Sequence, residues 1–192
     1  MTVIAFVGKP RTGKTLHMSI MAHDDYKKGY GIFSNYTLKF PHVQMTVKDM
    51  LSIPFDDVER NPKTLCIQEA DKVFDSRRSM RNENVLLSSL TGQSGKRNLN
   101  IYYDTQFFNR IDMALRDVTE YAVICSVFVN PLTKEPLCFD YTMVDLYDYS
   151  QKQYKIPAMV MKPFFEIYDS YETTRPITES SKMADIIGGE TE

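Results

Sequence analysis

Gly8-Lys9-Pro10-Arg11-Thr12-Gly13-Lys14-Thr15 fits the spacing G-x-x-x-x-G-K-[ST] without a mismatch. These residue types at this spacing grip a polyphosphate. The glycines let the backbone turn and approach phosphate oxygens with no Cβ in the way. Successive N–H groups then form an anion nest at the positive end of the helix that follows. Lys14 is expected to reach the β- and γ-phosphates, and the Thr15 hydroxyl to ligate Mg²⁺. Residues Gly8 to Thr15, with Leu16 next in the chain, are therefore the candidate nucleotide-binding segment, and ATP with Mg²⁺ the implied ligands.

A phosphate loop does not by itself separate a hydrolase from a kinase or a GTPase. An N-K-x-D type segment, which a GTPase uses to read its base, does not appear after the third apolar run. The discriminating stretch is Thr64-Leu-Cys-Ile-Gln68-Glu69-Ala-Asp71. Ligands of open α/β sheets sit outside the carboxyl ends of the strands, so Glu69 is placed to polarise an attacking water. A capping or surface carboxylate is the plainer reading of Glu69. At position 68 the common Asp, which would hold the metal shell, is replaced by Gln68. An amide can orient a metal-bound water but supplies less charge, so slower turnover or weaker Mg²⁺ affinity is expected. Gln106, closing Tyr102-Tyr-Asp-Thr-Gln106, is a candidate sensor able to hydrogen-bond the water and the γ-phosphate.

A basic stretch follows the third strand: Lys72, Arg77, Arg78, Arg81, Lys96 and Arg97 against Asp75 and Glu83. Such runs are commonly solvated faces. Two functional readings stand beside that one. Arg97 or Arg78 would serve as an arginine finger on a neighbouring subunit's γ-phosphate. The loop from Arg77 to Arg81 would touch a DNA backbone.

These residues need a scaffold, and the chain is large enough to build one. It has 192 residues, 43% of them hydrophobic, and a formal charge of −2. The near-zero charge excludes a generally basic nucleic-acid coat. No run approaches the roughly 18 apolar residues of a membrane span, and no signal peptide precedes the first strand, so a soluble cytoplasmic protein is expected. Cys66, Cys125 and Cys138 are widely spaced in apolar runs and read as free thiols rather than a zinc site.

Apolar runs alternate with helix-like stretches, the pattern of a parallel α/β sheet. Strands are expected at Thr2–Val7, Gly31–Ser34, Thr64–Ile67, Leu99–Tyr103 and Tyr121–Phe128. Helices are expected at Leu16–Tyr30, near Val47–Leu51, at Asn84–Ser94 and at Arg110–Asp117. Leu137–Leu146 alternates as the antiparallel partner of the fifth strand. From about Ser150 no periodicity is evident, and the acidic stretch after Glu172 reads as a solvated tail. The expected organisation is a core over residues 1–150 with a terminal β-hairpin, and an extension over 151–192.

The ordered set GKPRTGKT, SNYTL, IQEADKVFDSR, QSGKRN, IYYDTQ and IDMALRD resembles the zonula occludens toxin-like branch of P-loop ATPases, within the FtsK–HerA class of DNA-pumping motors. The resemblance covers roughly residues 1–128 and implies a RecA-like sheet, Glu69 as base and Gln106 as sensor. It also implies double-stranded DNA as a partner, self-association into a ring, a hexamer in that class, and contacts with capsid or membrane proteins of a virion. Lys96-Arg97 matches the class's basic pair, and Arg116 the arginine of its following short helix. With no transmembrane segment after the core, a genome-packaging ATPase of the host-cell cytoplasm, with virion association, is favoured over an extrusion pore. The alternatives are a nucleoside or nucleotide kinase and a nucleotide-gated assembly factor with little hydrolysis.

Overall fold

The computed structural model describes residues 2–51, 61–74 and 98–169. The expected helix at Asn84–Ser94, the residues Arg77, Arg78, Arg81, Lys96 and Arg97, and the acidic tail lie outside the described residues.

The elements in chain order are β1 (Thr2–Val7), α1 (Lys14–Lys27), β2 (Gly31–Ser34), β3 (Val43–Gln44), α2 (Val47–Leu51), β4 (Lys63–Ile67), α3 (Ala70–Val73) and β5 (Leu99–Thr105). After them come a 3₁₀ turn (Phe108–Arg110), α4 (Met113–Asp117), β6 (Tyr121–Val129), β7 (Pro136–Asp145), β8 (Gln151–Pro157) and α5 (Ala158–Met161). They form an eight-stranded sheet in the order β3-β2-β4-β5-β1-β6-β7-β8. The strands from β3 to β6 pair in parallel, and β6-β7-β8 are antiparallel. This is an α/β P-loop NTPase fold with a mainly parallel sheet.

β1 is apolar throughout because both of its faces are covered, as a central parallel strand requires. Val3 and Ala5 point to one layer, with Leu65, Ile67, Ile101, Tyr103 and the α2 and α4 side chains Met50 and Leu115. Ile4 and Phe6 point to the other, with Leu16, Met18 and Ala22 of α1 and Phe139 and Tyr141 of β7. Under α1 lies a buried carboxylate: Thr64, Asn100 and Tyr102 all donate to Asp25 Oδ2, at 2.9, 3.0 and 2.8 Å. Strands β4 and β5 are thereby pinned to the helix by three side-chain hydrogen bonds.

β3 and α3 are not expected from the sequence, and three further elements depart from the expectation. α1 begins at Lys14, with Gly13 as its left-handed N-cap at φ 83, and ends at Lys27 before Gly29 at φ 91. The expected Arg110–Asp117 helix is α4 alone, because Asp112 caps it by accepting from the Ala114 N–H. Beyond Ser150 the chain forms β8, paired along β7, and then folds back so that Leu38 bridges Tyr168. The Lys39 and Asp169 N–H groups donate to Ile167 and Thr37 carbonyls, which fastens this strap beside the carboxyl end of β2. Among the described residues no helix is long and apolar enough to cross a membrane.

Candidate functional site

The carboxyl ends of β1, β4 and β5 open onto one cleft of about 260 Å³. Pro10, Arg11, Gly13, Lys14 and Thr15 form one wall, and Gln68, Glu69, Asp71 and Lys72 the other. Asp104 and Gln106 lie between them, and Tyr168 from the C-terminal strap closes an end.

The phosphate loop is held from several directions. The Thr12 hydroxyl and the Lys14 ammonium both donate to the Lys9 carbonyl, at 2.9 and 3.0 Å. The Gly8 N–H donates to Thr105 of β5 at 3.3 Å. A Cβ on Gly8 would collide with the Cys125 carbonyl oxygen of β6 and lie 2.8 Å from the Thr12 hydroxyl. A Cβ on Gly13 would lie 2.8 Å from both Phe139 Cδ1 and the Tyr141 hydroxyl. Both glycines of the motif are thus required by the sheet beneath, in addition to any ligand above. Leu16, included in the candidate segment, turns into the core at 4% exposure.

Across the cleft, Glu69 is the N-cap of α3 and adopts φ 55 and ψ 47, the left-handed region. A non-glycine residue there costs about 1–2 kcal/mol and needs compensation. Two contacts supply it. The Asn35 side chain, just past β2, donates to the Gln68 carbonyl at 3.0 Å and accepts from the Gln68 N–H at 2.7 Å. The Glu69 N–H donates to Asp104 Oδ1 at 2.6 Å. The Glu69 carboxylate makes no cap bond and pairs with the Lys72 ammonium, both partly exposed.

Asp104 joins the two walls. Its second oxygen accepts from the Thr15 hydroxyl at 2.6 Å. The side chain is 2% exposed. Burial pushes its carboxyl up from the ordinary Asp range, opposed by the Thr15 and Glu69 hydrogen bonds and the nearby Lys14 charge. His17, one turn into α1, packs against Phe6 and Tyr141, with ring centroids 5.4 and 4.3 Å away. Burial lowers its pKa from 6.5 to about 4, so the ring is neutral near pH 7. The three thiols are free, and burial pushes Cys66 and Cys125 up, the latter to about 12.

The sequence profile of the ATPase family associated with various cellular activities (AAA) matches residues 4–126, which span the phosphate loop, β4 and β5. The chain belongs to this ATPase family. No curated protein sequence matches it. Among solved structures it is similar to the N-terminal domain of zonular occludens toxin from Neisseria meningitidis, at 17% identity and a TM-score of 0.62, covering 88% of this chain and 98% of that one. It is also similar to the genome packaging NTPase of Sulfolobus turreted icosahedral virus 2 in complex with ATP-γS, at 10% identity and TM-score 0.59, covering 81% and 97%. A third is the pCW3 conjugation coupling protein TcpA with ATP-γS, at 11% identity and TM-score 0.55, covering 81% and 59%. At these identities the likeness is one of fold.

In this AAA-family chain the fold brings most of the expected residues together. Lys14, Thr15, Gln68, Glu69 and Gln106 all face one cleft. Arg78 and Arg97 lie outside the described residues. Arg116 sits on α4, where its charge is felt by the Tyr103 hydroxyl beneath the sheet, and it does not line the cleft. Sequence reasoning passed over Asp104, although it stands two residues before Gln106, and over Tyr141 and Tyr168. A carboxylate inside an otherwise buried strand, Leu99-Asn-Ile-Tyr-Tyr-Asp-Thr105, was the available signal, since buried acids need partners.

The residues present fit Mg²⁺. Thr15 and Asp104 are hard oxygen donors, and the Thr15 proton is committed to Asp104, leaving the hydroxyl lone pairs free for a cation. Gln68 Oε1 is buried and has no hydrogen-bond partner among the described residues, an acceptor suited to a cation-bound water.

Proposed function

We propose that this ATPase converts ATP hydrolysis into movement of double-stranded DNA, as a genome-packaging motor. The observation that carries the hydrolytic part is Glu69, presented at the carboxyl end of β4 across the cleft from Lys14 and Thr15. In this reading Lys14 and the loop amides bind the triphosphate, and Glu69 takes a proton from the attacking water. Gln106 hydrogen-bonds the water and reports the state of the γ-phosphate. Thr15, with Gln68 through a water, would hold Mg²⁺, which would supply charge neutralisation to the triphosphate. Pro10, Arg11 and Gly13 set the loop's shape.

The DNA part is supported by the likeness to a viral genome packaging NTPase and a conjugation coupling protein, and by the basic residues from Lys72 to Arg97. The reading includes assembly into a ring, hexameric in the resembling class, with Arg97 or Arg78 offered to the neighbour's γ-phosphate. It also includes a cytoplasmic working location, the host's for a viral chain, and capsid or membrane proteins of a virion as further partners.

Phosphate release with and without double-stranded DNA tests it, alongside light scattering with ATP-γS. The motor responds to DNA and assembles. A response to a small phosphoryl acceptor instead identifies a kinase, and a response to neither an assembly factor; either outcome overturns the proposal.

A further inference from the structure

The carboxylate bonded to the P-loop hydroxyl comes from the strand next to the one that carries Glu69. In P-loop NTPases the P-loop Ser or Thr and an acid at the end of a neighbouring strand together hold Mg²⁺. On β4 the position before Glu69 is the neutral Gln68. The β4–β5 register pairs Ile67 with Tyr103, so positions 68 and 104 are the next lateral neighbours. β5 also pairs with β1, with Phe6 opposite Asp104, and β1 runs directly into the phosphate loop. A carboxylate on β5 is therefore at least as well placed for Thr15 as one at position 68, and its Oδ2 lies 2.6 Å from the hydroxyl.

Resting on the reading of the cleft as a Mg²⁺–nucleotide site, we propose that Asp104 is the metal-positioning carboxylate of this ATPase, transferred from β4 to β5, with Gln68 as its uncharged neighbour. Three observations converge on it. Asp104 is 2% exposed, and a buried acid is kept where a cation or strong donors compensate it. Both its oxygens are used, one on Thr15 and one on the Glu69 N–H, so the same group sets the metal side and the candidate base side. Gln68 presents a buried amide oxygen without a partner. The neutrality of position 68 follows: two carboxylates side by side on adjacent strand ends would repel and keep one protonated. The acid has changed strands, so Gln68 does not impair the site.

The test is binding of a fluorescent ATP analogue with Mg²⁺ and with EDTA, which reads the metal apart from turnover. Wild-type protein is expected to bind more tightly with Mg²⁺. Asp104→Asn, which keeps the shape and an acceptor, is expected to lose that enhancement by about 10- to 100-fold while retaining its EDTA affinity. Gln68→Asp in the Asp104→Asn background is expected to recover part of it. An unchanged Mg²⁺ enhancement in Asp104→Asn overturns the proposal. Absence of nucleotide binding by wild type in either condition instead overturns the reading of the cleft. Where Asp104→Asn does not fold, wild-type protein carrying ¹³C-carboxyl aspartate, with Mn²⁺ and ATP-γS, answers by electron–nuclear double resonance, with Asp71→Asn as control. A ¹³C coupling that survives Asp71→Asn supports Asp104, and its absence overturns it.

Discussion

The Tyr141 hydroxyl donates to the Gly13 carbonyl across 3.4 Å, so the antiparallel strand β7 carries the turn on which the phosphate loop pivots. Phe139 lies parallel to Tyr141, with ring planes 4° apart, and together they fill the space a Gly13 side chain would need. The hairpin appended to the parallel sheet is in this way part of the nucleotide site's foundation. Gly13→Ala forces a Cβ to 2.8 Å from both the Phe139 ring and the Tyr141 hydroxyl at φ 83. The expected result is a loss of about 1–3 kcal/mol in urea unfolding and weak ATP-γS binding. Tyr141→Phe, which removes a long hydrogen bond and keeps the ring, is expected to cost less than about 1 kcal/mol.

His17 makes the same region sensitive to acid. Its buried Nδ1 has no partner among the described residues, and its folded pKa of about 4 lies below the ordinary 6.5. A depressed folded pKa means that the ring's neutral burial is undisturbed above about pH 6.5 and stability is lost as the pH falls toward 4. The full shift corresponds to up to about 3 kcal/mol. His17→Phe is expected to remove most of the difference between unfolding midpoints at pH 7 and pH 4.5. An equal acid loss in wild type and variant would exclude His17 as the cause.

The parallel half of the fold is legible because its strands are buried on both faces: Thr2–Val7 and Thr64–Ile67 read directly as apolar runs. β8 is hidden for the opposite reason. Gln151-Lys-Gln-Tyr-Lys155 is exposed along its length at the sheet edge, so neither face imposes a period. β3 has two residues and is too short to carry a pattern. In the site, Lys14, Thr15, Glu69 and Gln106 are visible as motif positions. Asp104 is not a motif position: as an acid in a buried strand it signals that it needs a partner, but the partners, Thr15 and the Glu69 N–H, follow from the lateral register of β5 between β4 and β1.

Asp25 is the buried hub that ties α1 to β4 and β5. Asp25→Ala would leave the donors of Thr64, Asn100 and Tyr102 facing a cavity. A loss of about 3–5 kcal/mol in urea unfolding is expected, because three buried donors lose their shared acceptor. Asp25→Asn keeps one acceptor oxygen and the volume, and is expected to lose less. A loss below about 1 kcal/mol for Asp25→Ala would show that the hydrogen bonds contribute little.

Glu69 and Lys72 separate chemistry from charge balance at the cleft. The two side chains pair on the first turn of α3, at 35% and 65% exposure, so their attraction is largely screened. Glu69→Gln keeps the left-handed backbone and the bond from its N–H to Asp104, while removing the group proposed to accept a proton. Turnover is expected to fall by about 10²- to 10⁴-fold with ATP-γS affinity nearly unchanged. Lys72→Ala leaves Asp104, Thr15 and the Glu69 carboxylate in place, and is expected to alter basal turnover by less than about tenfold. Parallel measurement of phosphate release and analogue binding distinguishes the two. A Glu69→Gln protein that hydrolyses ATP at the wild-type rate would remove the base from β4 and with it the hydrolytic assignment of the cleft.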